Sequence, residues 1–186
     1  MSTLANIAWL AYLAVWGVLA FGNKRTARGM PKVDLIVHVM VLGAAFDLLF
    51  APALRRGVLA WQVLPDLGWI EDLGDLLQVA GLAFCIWARL QIGRNWSGTV
   101  TLKEGHTLVR SGPYAWVRHP IYAGLLVAVL GKAVEHGQTG GMLAFLLLVV
   151  EWKRKSLMEE RLMLEQFGEE YKRYRAEVKG LIPHVW

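Results

Sequence analysis

Residues 4–21 read LANIAWLAYLAVWGVLAF, 18 residues without a charged side chain. As a helix this is about the length that crosses a hydrocarbon core. No basic segment precedes it and no Ala-x-Ala-like cleavage site closes it, so a retained span is expected rather than a signal peptide. Working outward, a second apolar block covers residues 33–54, interrupted by Asp34, His38 and Asp47, and a third covers about 73–90. Residues 121–131 and 137–150 form shorter apolar blocks, of a length that core and re-entrant helices share. Gly137, Gly140 and Gly141 stand between them, which predicts a helical hairpin. The expected fold is therefore all-α and multi-pass. It has about five transmembrane helices, the last two a hairpin at 120–150, plus a polar loop at 94–119 and an amphipathic C-terminal helix at 151–178. This reads as a single domain over 1–186, with two N-terminal spans in 1–54 and a core in 73–186.

Composition and charge agree with that layout. Of 186 residues, 55% are hydrophobic and 19% charged, and the mean hydropathy is +0.38. Such a chain is neither disordered nor a polar nucleic-acid-binding module. Five spans with the N-terminus outside place seventeen of the 20 Lys and Arg residues on the cytoplasmic side and three outside. This positive-inside asymmetry explains the net charge of +5 without nucleic acid, and makes the bilayer, with its anionic inner leaflet, the expected partner. It also puts the two long polar segments, 91–119 and 151–186, on one side, where they can build a site for a water-soluble cofactor. Asp47 is an ionisable group in a span, either functional, or satisfied near the outer interface or by pairing inside the bundle. The lone Cys85 excludes an internal disulfide and reads as packing between Phe84 and Ile86. Five scattered histidines show no paired ligand spacing, so no metal is expected.

The chemistry-bearing residues cluster in the third loop. Residues 94–103 look extended, and Glu104-Gly105 signals a turn. His106-Thr107-Leu108-Val109 follows, and Gly112-Pro113 interrupts any helix there. Pro120 suits the first turn of the next helix, which puts His119 at a helix N-terminus able to hold a carboxylate. Taken singly, Arg118 also suits an interface anchor, and Tyr114 and Trp116 an aromatic belt. In the tail, Leu157, Leu164, Phe167, Tyr171, Tyr174 and Val178 recur at helical spacing. Lys155 and Glu159 are four apart and share a face, which by itself is a surface ion pair, with Glu160 and Arg161 a solvated patch.

The combined pattern is more specific. His106-Thr107-Leu108-Val109-x-Ser111-Gly112-x-Tyr114, then Arg118-His119-Pro120-x-Tyr122-x-Gly124, then Glu159-Glu160-x-Leu162 and Phe167-Gly168-Glu169-Glu170-Tyr171, resembles the isoprenylcysteine carboxyl methyltransferase family, in a prokaryotic-type form. Part of it is shared with phospholipid N-methyltransferases. The resemblance covers about residues 96–183. It implies an integral membrane methyltransferase that uses S-adenosylmethionine at the cytoplasmic face. Implied cofactor contacts are Lys103, His106, Thr107, Leu108, Val109, Tyr114, His119, Pro120, Ile121, Tyr122 and Glu159, with Arg118 and Glu160 implied in catalysis. Lys155 stands where eukaryotic members carry an arginine that contacts the prenylated substrate, keeping the charge but losing the planar fork.

Each demand of the cofactor has a candidate. Glu159 suits its ammonium; His119, Arg118 and the helix amides suit its carboxylate; Tyr114 or Tyr122 suits adenine or the sulfonium. Methylation of a carboxylate needs no general base, because the nucleophile is already ionised at pH 7. A hydroxyl or amine acceptor would need one, with Glu160, His119 or His106 available. A lipophilic acceptor would enter sideways between spans. Two other readings compete: an NADPH-dependent reductase of sterol-reductase type, against which the Glu159-Glu160 pair argues by repelling phosphates, and a non-enzymatic membrane scaffold. Gly137-x-x-Gly140-Gly141 has the wrong spacing for a dinucleotide fingerprint.

Overall fold

The computed structural model describes residues 3–21, 26–29, 31–97, 101–103 and 107–182. Six α-helices carry the described fold: α1 (Thr3–Ala20), α2 (Lys32–Phe50), α3 (Gly68–Ile92), α4 (Pro120–His136), α5 (Thr139–Phe167) and α6 (Glu169–Glu177). Two short strands, β1 (Thr26–Gly29) and β2 (Thr101–Lys103), pair antiparallel. Of the segment expected to be extended, β2 is a strand, whereas Gly93–Asn95 is a single 3-10 turn.

Helices α1, α2 and α3 are long and apolar enough to cross a membrane. Their outward faces carry the exposed apolar side chains, such as Leu10, Ile36 and Leu76. An apolar helix face left uncovered by protein is suited to lipid contact. Asp47 is exposed in the last turn of α2, and Cys85 is fully buried in the core, as its apolar neighbours predict.

Helix α3 packs most extensively on α4, α1 lies on α3, and α2 lies on α5. The α3–α4 contact is built on glycine. A Cβ at Gly81 would lie 2.5 Å from the Gly124 carbonyl oxygen, and one at Gly131 would lie 2.5 Å from the Gly74 carbonyl oxygen. The two glycines on each helix are seven residues apart, so they share one face and let the backbones touch. One end of this contact is tied by buried polar groups. Trp9 Nε1 donates to Gln78 Oε1 at 3.0 Å, Gln78 Nε2 to Glu135 Oε2 at 2.8 Å, and Lys132 Nζ to the same oxygen at 2.9 Å.

The hairpin and tail differ from expectation. Gly137 adopts a left-handed conformation (φ 62°) and turns α4 into α5, but Gly140 and Gly141 lie inside α5. Helix α5 then runs unbroken to Phe167, so the expected fifth span and the first half of the expected 151–178 helix are one element. Apolarity ends near Val150, yet the following Glu, Lys, Arg, Leu and Met residues remain strong helix formers. The chain turns only at Gly168 (φ 50°), which starts the separate α6. The expected stripe is therefore split: Tyr171 and Tyr174 are buried, whereas Leu157 is exposed.

Candidate active site

The site forms where the end of α3, the segment 107–118, the start of α4 and the far half of α5 meet α6. Glu160 lies 21 residues after Thr139, or about 30 Å up the helix. His119 is the N-cap of α4, with Pro120 at the first helical position, as expected.

Its imidazole lies between two adjacent carboxylates. Nδ1 faces Glu159 Oε2 at 3.5 Å and Nε2 faces Glu160 Oε1 at 3.2 Å. Neighbours on a helix are about 100° apart, so the two glutamates reach opposite edges of one ring. Burial opposes a charged imidazole, but hydrogen bonds to Glu159 and Glu160 prevail and raise the His119 pKa. Burial likewise opposes ionised Glu160, yet hydrogen bonds from His119 and Arg118 bring its pKa down to about 2. Glu159 is also held ionised, against burial, by His119 and Lys155.

Arg118 braces this group. Its Nε and Nη2 donate to Glu160 Oε1 at 3.0 and 2.5 Å, and its Nη1 donates to the Val178 carbonyl. The backbone continues the tie: Arg118 N–H donates to Lys179 O and His119 N–H to Gly180 O, at 2.8 and 3.0 Å. The segment after α6 is thus strapped across the entrance to α4. Tyr174 Oη, donating to the Tyr114 carbonyl at 2.6 Å, pins α6 to the loop.

These contacts enclose a cleft of about 820 Å³, mouth included. Of the expected site residues, Thr107, Leu108, Val109, Tyr114, Arg118, His119, Pro120, Ile121, Tyr122 and Glu159 line it. Glu160 stands behind the lining, bonded to Arg118 and His119. His106 lies outside the described residues, and Lys103 is described in its backbone alone.

Lys155 lines a second, apolar chamber of about 1530 Å³, mouth included, between α1, α2, α4 and α5. The two spaces share Trp96, Ser97, Ile121 and Tyr122. Tyr122 joins them: its hydroxyl donates to Glu159 Oε1 at 2.5 Å, while its ring lies 5.3 Å from Lys155 Nζ and stacks on Trp152. Lys155 is buried, not the surface partner that spacing alone suggests.

The model of the isoprenylcysteine carboxyl methyltransferase family matches residues 75–166, which include both carboxylates, His119 and Tyr122. This segment of the chain is similar to that family. It is 31% identical over 128 residues to the human protein-S-isoprenylcysteine O-methyltransferase, covering 67% of this chain and 45% of that protein. A fission yeast (Schizosaccharomyces pombe) protein of the same name is 36% identical over 103 residues, covering 53% of this chain and 43% of its own. An Arabidopsis thaliana relative, protein-S-isoprenylcysteine O-methyltransferase B, is 27% identical over 156 residues, covering 81% and 73%. The chain thus spans less than half the length of the human and yeast relatives. A solved structure of a eukaryotic intramembrane Ras methyltransferase of this family shares the fold, with a TM-score of 0.57 and 23% identity over 82% of this chain and 52% of that one. Apolar helices and family together make the chain an integral membrane protein.

Sequence reasoning missed several lining residues. Asn95 Nδ2 donates to Thr107 Oγ1 at 2.9 Å and holds the loop against the end of α3. Met163, Tyr171 and Tyr174 close the cleft from α5 and α6. The Phe167–Tyr171 motif held the signal for the last two, because its glycine is the turn that folds α6 back.

Proposed function

We propose that this chain is an S-adenosylmethionine-dependent methyltransferase, acting on the carboxylate of a lipophilic, prenylcysteine-like acceptor. The observation that carries the reading is the shared residue Tyr122, which belongs at once to a cleft with an ionised glutamate and to an apolar chamber with a buried lysine. The donor set fits the cofactor: Glu159 suits its ammonium, the Leu108–Val109 backbone and Tyr114 suit adenine, and His119 at the start of α4 suits its carboxylate. When bound, S-adenosylmethionine supplies the electrophilic methyl group.

The chain's own groups would do the rest. Tyr122 fixes the rotamer of Glu159 through its hydroxyl, and Arg118 with Glu160 holds His119 in place. Lys155 would receive the acceptor carboxylate, which is ionised near pH 7 and needs no base. The aromatic walls, Trp9, Tyr12, Trp16 and Trp152, would exclude water from both reacting ions. Much of the acceleration would then come from holding the reactants in line. The positive-inside distribution supports five spans, with the cleft and α6 on the cytoplasmic side.

Calorimetric titration of detergent-purified protein with S-adenosylhomocysteine and NADPH, and a methyl-transfer assay with N-acetyl-S-farnesylcysteine, test this reading. Binding of the first ligand only, weakened in Glu159→Gln, and formation of the methyl ester are expected. NADPH binding, or no transfer by protein that binds S-adenosylhomocysteine, would overturn the cofactor or the acceptor assignment respectively. Reporter fusions at loop 94–119 found outside the cell would overturn the orientation.

A further inference from the structure

A histidine on α2, well outside the segment that matches the family, sits 4% exposed in the wall of the apolar chamber. A polar ring in such a wall is unfavourable unless it is paired. His38 is paired on both edges. Its Nδ1 lies 2.7 Å from Glu151 Oε1, and its Nε2 lies 3.4 Å from Lys155 Nζ. Glu151 is itself held by Arg154 at 2.9 and 2.8 Å, and Arg154 reaches back to Asp34 on α2 at 2.7 Å. These are the charged groups around His38: Glu151, Arg154 and Lys155 from α5, and Asp34 from its own helix.

This order of groups sets the tautomer. With a carboxylate on Nδ1, the proton sits there, and Nε2 presents a lone pair. That lone pair accepts one N–H of the Lys155 ammonium. A lysine ammonium is a compact charge on a flexible four-carbon stem. Here a hydrogen bond to His38 and the face of Tyr122 at 5.3 Å contribute to where it sits. An ammonium fixed at the edge of an apolar space attracts a carboxylate strongly, and a neutral headgroup of the same shape cannot satisfy it.

We infer that His38 is a positioning residue for the acceptor: anchored by Glu151, it holds the Lys155 ammonium at the chamber wall and makes the chamber select a carboxylate-bearing lipophile over its neutral analogue. The inference rests on the chamber being the acceptor site. It places a specificity determinant in the second helix, where the family pattern carries little signal.

The test is equilibrium binding to the full-length, detergent-purified chain. The probes are N-acetyl-S-farnesylcysteine and its carboxamide, with S-adenosylhomocysteine titrated as a separate arm. Wild type is expected to bind the carboxylate at least about tenfold more tightly than the carboxamide, the scale of one charge-assisted hydrogen bond. His38→Phe keeps a ring but has no nitrogen, and is expected to lose that preference through the carboxylate alone. Its KM for the acceptor should rise more than its kcat falls, with S-adenosylhomocysteine affinity unchanged. His38→Gln can accept from Lys155 and donate to Glu151 with one amide, and is expected to retain the preference. Full discrimination in His38→Phe, or equal loss in both variants with S-adenosylhomocysteine binding intact, would overturn the role. Independently of any variant, ¹⁵N shifts of His38 in the wild type should show Nδ1–H with an unprotonated Nε2, and the opposite tautomer would also overturn it. Wild type that binds S-adenosylhomocysteine but neither prenylcysteine form refutes the acceptor site, and the His38 role with it. Wild type that binds no S-adenosylhomocysteine refutes the methyltransferase reading instead.

Discussion

Replacing Glu160 by Gln removes one charge from a group in which Arg118, His119 and Glu160 are all at most 9% exposed at their side chains. The carboxylate accepts from Arg118 at 3.0 and 2.5 Å and from His119 at 3.2 Å, and faces Arg175 at 3.4 Å. Breaking a buried ion pair from one side leaves the cation uncompensated, at a cost of about 3–5 kcal/mol. The pKa shift that these same contacts produce gives a similar magnitude. The Glu160 pKa falls from 4.5 to about 2, which at 1.36 kcal/mol per unit is about 3 kcal/mol of stability in the ionised state. Because the folded pKa is depressed, this stability is present above pH 4.5 and is lost as pH falls through about 2. Two outcomes are expected from thermal melts of detergent-purified protein. At pH 7 the variant melts lower than wild type by about 6–12 °C, the shift that ~3 kcal/mol gives in a chain of this size. Between pH 4.5 and 2 the wild type loses Tm and the variant approaches it from below, because protonation does to Glu160 what the substitution has already done. Unchanged Tm at pH 7, or parallel acid curves for the two proteins, would refute the argument that this carboxylate is the keystone of the brace.

Glu159→Gln should weaken S-adenosylhomocysteine binding by about tenfold or more, as loss of a charge-assisted bond requires; Tyr122→Phe, which removes the hydroxyl that orients Glu159, should weaken it less in the same titration. Gly81→Val should abolish recovery of monodisperse protein, because its Cβ meets backbone atoms of Gly124 and Ala128 at 2.5 and 2.6 Å, whereas Gly17→Ala, with nothing within 4 Å, should raise stability by up to about 1 kcal/mol. Lys132→Met should destabilise by about 3 kcal/mol by removing the ammonium that pairs with the Glu135 carboxylate, and the double variant Lys132→Met/Glu135→Leu should melt higher than the single one.

The first three spans were legible because apolar composition is a property of consecutive residues, and the structure extends the third only to Gly68–Ile92. The cleft was legible to a similar degree. Ten of the residues that the family resemblance nominates line it, nine of them on one continuous stretch of loop and helix start, 107–122. The split between α5 and α6 was not legible in the same way. A loss of apolarity at residue 150 marks a change of surroundings along a helix, not where it ends, and the actual end is set by one glycine with a positive φ, Gly168.

By itself, then, the amino-acid sequence determined a chain rich in membrane-crossing helix, the polar loop before Pro120, and the residue types able to hold an ammonium, a carboxylate and an aromatic base. Only the tertiary structure decided which of these meet. It placed Tyr122 between the two spaces, buried Lys155 against a histidine 117 residues earlier, and folded Tyr171 and Tyr174 back over the cleft. The reason is physical: periodicity and hydropathy act along the chain, whereas the crossing of α2 on α5 and the glycine contact of α3 on α4 are set by packing between elements, which no local spacing encodes.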